Sequence, residues 1–87
     1  MKDYVFLGLV KGYDPVTKMA TVEQRNKIVI GDQVEVFGPK TDFFEQRIEM
    51  MLDEDGSPIA AAPHAQQIIQ IKMERPVKEH FMIRRKV

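Results

Sequence analysis

The fold is decided by the stretch Gly31–Pro39, which reads Gly-Asp-Gln-Val-Glu-Val-Phe-Gly-Pro. Val34 and Val36 point to one side of an extended chain, and the residues that alternate with them point to the other side. A turn is predicted at Gly31-Asp32, and Pro39 ends the strand because proline has no N–H to donate to a neighbouring strand. The pattern is typical of a strand whose two faces differ, and it therefore predicts an all-β domain.

Five further segments have the composition or the alternation of β-strands. They are Tyr4–Val10, Lys18–Gln24, Phe43–Leu52, Gln67–Glu74 and Phe81–Ile83. Turn-forming residues separate them at Gly12–Pro15 and Asp53–Pro58. The first segment is predicted to be buried on much of both faces, with Gly8 marking a bend or a close approach of two backbones.

Three segments are less regular. Phe43–Leu52 also fits a helix, because Phe44, Ile48 and Met51 form a helical stripe. The turn that follows favours a strand with Phe44, Ile48, Met50 and Leu52 on one face. Ile28–Ile30 is interpreted as a loop whose apolar side chains plug the end of a barrel, and Ile59–Ala65 is predicted to be irregular because it contains a proline.

About six short strands in 87 residues predict one domain, residues 1–87, that is a small closed β-barrel or a sandwich. A barrel is favoured because an open sheet of this size would leave its edges exposed. The chain has no cysteine, which excludes disulfides, thiolate metal sites and a cysteine nucleophile from it and suits a cytoplasmic protein. No signal peptide and no segment that could span a membrane are predicted.

Thirteen basic and thirteen acidic residues cancel, so the net charge does not indicate a nucleic-acid partner. The charges are unevenly placed. Six acidic residues lie between Asp42 and Asp55 with Arg47 as the single base, and five bases follow from Arg75 onward with Glu79 as the single acid. This indicates either two solvated surfaces or a basic rim for an acidic ligand.

No catalytic constellation is visible in the sequence. His64 and His80 lie in no metal-ligand motif, and Ser57 lacks the flanking glycines of a nucleophile elbow. We therefore expect no catalytic residue, no bound metal and no cofactor. The candidate binding residues are basic, polar or aromatic: Arg25, Asn26, Lys27, Phe43, Arg84, Arg85 and Lys86. The first three form a polar loop that either contacts phosphates or caps a hairpin, and Phe43 either stacks on a base or lies at the rim of the core.

Several short motifs, taken together, resemble those of a known family. They are Gly12–Asp14, Ala20–Lys27, Gly31–Pro39, Asp53–Gly56, Ala62–His64 and Met82–Lys86. The combination resembles the C-terminal domain of the collagenase-like peptidases of family U32 over nearly the whole chain. The Gly-Asp-x-Val-Glu-Val segment is also similar to the second, barrel domain of translation factors such as elongation factor Tu. The resemblance implies a small distorted closed β-barrel at the C-terminal end of a longer protein.

The resemblance also implies a function. In that family a larger N-terminal domain carries the catalytic machinery, including its cysteines. Some relatives are described as proteases that act on collagen, and others take part in hydroxylating bases of transfer or ribosomal RNA with an iron–sulfur cluster. None of the catalytic or cluster residues has a counterpart in this chain, so a non-catalytic accessory domain is expected, with the catalytic domain of the same chain as a partner. Two roles stay open: helping to bind a macromolecular substrate, RNA or protein, or packing on the catalytic domain and stabilising it.

Overall fold

The computed structural model of the protein describes residues 3–87, and within that range it contains strands and no helix. The nine strands are β1 (Tyr4–Asp14), β2 (Met19–Gln24), β3 (Ile28–Val29), β4 (Gln33–Phe37), β5 (Phe43–Arg47), β6 (Met51–Leu52), β7 (Ala61–Ala62), β8 (Ile68–Lys72) and β9 (Met82–Lys86). Seven of them form one antiparallel sheet in the order β5-β4-β9-β1-β2-β8-β6, and β3 pairs with β7. The sheet curls into a half-barrel, which confirms the predicted all-β, barrel-like fold.

The inside of the curled sheet is one hydrophobic core. Its fully buried aliphatic side chains include Leu7, Val10, Val22, Val36, Ile69, Ile71 and Ile83. Val34 and Val36 of β4 are buried as their alternation predicts, and so are the inward residues of β8. Because each such side chain contributes about 1.5–3 kcal/mol when it leaves water, these strands hold the fold together.

Strand β1 is longer than the sequence predicts. The segment Gly12–Asp14 was expected to form a turn, and this expectation is wrong, because the register shifts between Val10 and Gly12 and the ladder with β2 then continues. The turn instead lies at residues 15–18, where the Lys18 N–H donates to the Asp14 carbonyl at 2.7 Å.

The segments predicted as a loop and as irregular chain pair with each other. Ile28 lies opposite Ala62, and Val29 lies opposite Ala61. Ile28 and Ala62 are fully buried in the core, whereas Ile30 is 39% exposed. The expected burial of Ile28–Ile30 is therefore confirmed only for Ile28, and the expected loop is wrong. Two residues on each side suffice for a ladder, and a ladder this short leaves little periodic signal in the sequence.

The segment Phe43–Leu52 is extended but is not one strand. Strand β5 ends at Arg47, and the Ile48 N–H and carbonyl then bond to the Asp32 carbonyl and the Gly31 N–H at 2.8 and 2.7 Å. This break changes the alternation, so that Met51 is 1% exposed and Met50 is 47% exposed. The prediction that Met50 faces inward is therefore wrong, and the helical alternative is excluded.

The basic residues at the chain's end form a strand instead of a tail. Strand β9 lies in the middle of the sheet, paired with β1 on one side and with β4 on the other. The alternation of β9 therefore distributes Arg84, Arg85 and Lys86 over two faces.

The side chain of Gln46 links the two ends of the curled sheet. It is buried on β5, its Nε2 donates to the Lys72 carbonyl at 2.9 Å, and its Oε1 accepts from the Glu74 N–H at 2.9 Å. The Lys72 N–H donates to the Met50 carbonyl at 3.1 Å. An amide side chain thus supplies hydrogen bonds between β5 and the end of β8, two strands that share no ladder.

Candidate binding surface

The outer face of the sheet carries a row of four apolar side chains on four adjacent strands. The register places Leu9 opposite Met82, Met82 opposite Phe37, and Phe37 opposite Phe43. Phe43 is 50% exposed and Met82 is 40% exposed, and the other two are half-buried. We call these four residues the apolar row. Large apolar side chains that adjoin one another on a surface are typical of interaction sites.

Beside the apolar row, Arg84 stands between two aromatic rings. Its guanidinium carbon lies 3.9 Å from the centre of the Tyr4 ring and 4.7 Å from that of Phe37. These rings belong to β1 and β4, the two strands that flank β9. The Arg84 Nε donates to Glu35 Oε1 at 2.7 Å. Because this ion pair offsets the charge of the guanidinium, Arg84 is a fixed element of the surface and not a free cation.

The loop after β2 is attached to the same surface. The Asn26 side-chain amide donates to the Phe6 carbonyl at 2.7 Å. The Arg25 guanidinium lies 5.8 Å from the centre of the Phe6 ring and 3.5 Å from Glu23 Oε1, at the long limit for an ion pair. Lys27 is exposed and, within residues 3–87, forms no ion pair. Asn26 therefore positions the loop, and Arg25 and Lys27 present their charges to solvent.

Arg85 and Lys86 lie on opposite faces of β9. Lys86 is exposed and lies opposite Tyr4 in the ladder. Arg85 faces the other way, where its Nη1 donates to Asp32 Oδ2 at 3.2 Å. The same carboxylate oxygen accepts the Val29 N–H at 3.0 Å, so Arg85 supports the turn before β4.

The structure thus divides the predicted binding residues. Arg25 lies beside the Phe6 ring, Lys27 follows it in the same loop, and Lys86 lies opposite Tyr4 in the ladder. We call these three basic residues the cation cluster. Phe43 belongs to the apolar row, Arg84 lies between the two groups, Asn26 positions the loop, and Arg85 is separate from all of them.

The sequence analysis missed five residues of this surface: Tyr4, Phe6, Leu9, Phe37 and Met82. Tyr4 and Phe6 are 38% and 37% exposed, so the prediction that β1 is buried on both faces is wrong at its start. The signal for their exposure was the spacing of two between the rings, which places both on one face. The sequence analysis missed this exposure because it predicted burial from the aromatic and β-branched composition of the segment. In the structure only the alternate residue, Val5, packs against the core.

Within residues 3–87, no three His, Asp or Glu side chains come together as the ligands of a metal ion would. In the described part of the chain, no helix has the length and apolar character that crossing a membrane requires.

The curled sheet defines a small β-barrel-like domain whose outer face exposes aromatic and basic side chains. The chain belongs to the family described as the peptidase family U32 C-terminal domain, whose sequence model matches residues 2–84. The resemblance inferred from the sequence motifs is thereby confirmed.

Solved structures and a curated relative are similar to this chain. Two crystal structures of the C-terminal domain of a U32 peptidase family protein from Geobacillus thermoleovorans match with TM-scores of 0.88 and 0.86 at 49% and 50% identity. They cover 93% and 94% of this chain, and 99% and 91% of the solved chains. The tRNA hydroxylation protein P1 of Bacillus subtilis strain 168 is 43% identical over 82 residues, which are 94% of this chain and 19% of that protein. This chain therefore spans about a fifth of the length of the curated relative.

Proposed function

We propose that this chain is the non-catalytic C-terminal accessory domain of a longer U32-family protein that modifies tRNA, and that it helps to hold the RNA. The link to tRNA modification is supported by the name of the Bacillus relative, which is 43% identical to this chain. A longer parent protein is supported by the 19% of that relative that the match covers. The N-terminal domain of the parent supplies the chemistry. A protein that modifies tRNA works where tRNA is found, which supports a cytoplasmic location for the parent protein.

The observation that carries the RNA-binding role is the cation cluster. Arg25 lies beside the exposed Phe6 ring, Lys86 lies opposite the exposed Tyr4, and Lys27 is in the same loop as Arg25. Basic side chains contact phosphates, and aromatic rings beside them stack on unpaired bases. Only Arg25 of the three has an ion-pair partner within residues 3–87, and that contact is 3.5 Å long. Lys86 lines a groove that also contains Glu35 and Glu45 but forms no ion pair with them, so Lys27 and Lys86 support binding to an RNA backbone.

The non-catalytic role is supported by what surrounds the one serine. Ser57 lies in the exposed turn after β6, where its N–H donates to Asp53 Oδ1 at 2.9 Å. The hydrogen bonds of residues 3–87 give its hydroxyl no histidine partner, and a serine nucleophile requires a positioned base. An open groove of about 550 Å³ lies on the outer side of β2, β8 and β6. Its lining includes Tyr13, Thr21, Met50 and Lys72, and no histidine that could act as a base is among its lining residues.

The test is tRNA binding by the isolated domain as a function of salt. The domain is suited to this test, because the solved Geobacillus chain of nearly the same extent forms the same fold without the rest of its protein. Substituting Arg25→Ala with Lys27→Ala removes two phosphate contacts, so affinity should fall and the slope of log K against log salt should decrease by about 1–2. The matched control, Lys40→Ala with Lys78→Ala, removes two exposed charges outside the cluster and should change neither.

Two outcomes would contradict the RNA-binding role. One is binding that does not respond to salt, and the other is an equal loss of affinity in both double variants. Binding of denatured collagen in place of tRNA would favour a protein substrate, the alternative that the family resemblance left open.

A further inference from the structure

We infer that the apolar row, Leu9, Phe37, Phe43 and Met82, is the surface on which the preceding domain of the same polypeptide docks. This inference rests on the proposal that the chain is the C-terminal domain of a longer protein, but it does not depend on RNA binding. It assigns the two groups on the outer face to two different partners.

The composition of the apolar row fits a protein partner and not a nucleic acid. No charged side chain belongs to the row, and its nearest arginine, Arg84, is already paired with Glu35 at 2.7 Å. The four side chains of the row therefore offer no cation to an RNA backbone. The centres of protein interfaces, in contrast, are enriched in aromatic residues, methionine and arginine and depleted of other charged residues.

Arg84 already covers part of the aromatic surface of the row. Its guanidinium carbon lies 4.7 Å from the centre of the Phe37 ring and so occupies one face of that ring. The stack and the ion pair fix Arg84 before any partner arrives, so little side-chain freedom is lost on docking. A protein surface can then cover Phe43 and Met82 while accepting hydrogen bonds from the remaining N–H groups of the guanidinium.

The small extent of the row favours a tethered partner over a second copy of the chain. Stable association of separate proteins buries about 800 Å² on each partner, far more than four side chains that are at most half exposed can supply. A domain joined through the same polypeptide acts at a high effective concentration, so a smaller surface suffices. Strand β1, which begins at Tyr4, also contributes Leu9 to the row, so a preceding domain would be joined through a strand that carries part of this surface.

Photo-crosslinking of the full-length parent protein in the presence of tRNA tests this inference. A benzoylphenylalanine at Phe43 keeps the aromatic ring, and the same probe at Val16, 88% exposed in the turn after β1, is the control. The inference predicts an adduct between Phe43 and the N-terminal domain of the same chain and no such adduct from Val16. A crosslink from Phe43 to tRNA, a crosslink to a second chain, or equal yields from both positions would overturn it.

A second measurement separates docking from folding. Phe43→Ser with Met82→Ser should lower the melting temperature of the full-length protein by more than that of the isolated 87-residue domain. Equal shifts in the two proteins would contradict docking through the row. Salt-dependent tRNA binding by the isolated domain is measured separately, so either proposal can fail while the other stands.

Discussion

At the scale of single residues, Gln46 is the polar side chain on which the closure of the fold depends. Replacing Gln46 with leucine fills its place in the core with an apolar side chain but leaves the Lys72 carbonyl and the Glu74 N–H without partners. Each unsatisfied group costs about 1–3 kcal/mol, so Gln46→Leu should lower the free energy of unfolding by about 2–4 kcal/mol. Gln33→Leu, on the exposed face of β4, is the matched control and should change it by less than about 0.5 kcal/mol. Urea titration measures both, and equal stabilities would contradict the bridging role.

Two glycines of β1 should respond in opposite ways to alanine. A Cβ on Gly8 would lie 2.6 Å from Val22 Cγ1 and 3.0 Å from the Glu23 carbonyl, whereas a Cβ on Gly12 would meet nothing within 4 Å. Gly8→Ala should therefore destabilise the domain by about 1–3 kcal/mol through overpacking. Gly12→Ala should be neutral or stabilising, because alanine has less freedom in the unfolded chain. Thermal unfolding of the two variants compares them, and a Gly8→Ala variant as stable as the wild type would show that the backbones can separate there.

The role of Gly8 could be predicted from the sequence, whereas the role of Gln46 could not. Gly8 was expected to mark a bend or a close approach of two backbones, and the 3.0 Å from a Cβ built there to the Glu23 carbonyl oxygen confirms the close approach. Gln46 was noted only as an interruption of an apolar face. Its role depends on where β8 ends in space, and that position is fixed by contacts between residues 26 and 28 positions apart along the chain.

At the scale of elements, β9 is the strand whose position the sequence least revealed. It lies between β1 and β4, and Ile83 on its inner face is fully buried. A chain that ends at Phe81 loses both ladders, so it should lose cooperative thermal unfolding. A chain that lacks only Val87, which is 80% exposed, should unfold as the intact domain does. Circular dichroism during heating measures this, and a cooperative transition in the shorter chain would contradict the central role of β9.

Strands with regular alternation were predictable from sequence, and those set by long-range pairing were not. The inward faces of β2, β4 and β8 follow from period-two patterns alone. The short pair of β3 and β7 and the break at Ile48 follow from contacts with distant segments, such as the hydrogen bonds between Ile48 and the turn at Gly31-Asp32. The basic composition of β9 concealed its place in the sheet, because a charged strand end resembles a solvated tail.

At the scale of the whole molecule, the outer face has two parts with different chemistry. The cation cluster could be predicted from sequence only as two separate basic segments. The pairing of β1 with β9 places Lys86 opposite Tyr4, two residues along β1 from the Phe6 ring that Arg25 approaches. The apolar row was represented by Phe43 alone, because its four members come from four strands. Family membership was predictable from the motifs, and the family is that of a C-terminal domain.

The central claim is that this domain contributes to holding RNA and not to the chemistry performed on it. The most direct test is the affinity for tRNA of the full-length parent protein, compared with that of a version from which residues 3–87 are deleted. Circular dichroism of both proteins controls for folding. The account predicts a loss of affinity of about tenfold or more, equivalent to ~1.4 kcal/mol, that shrinks as salt is added. Unchanged tRNA affinity in a folded deletion variant would contradict it.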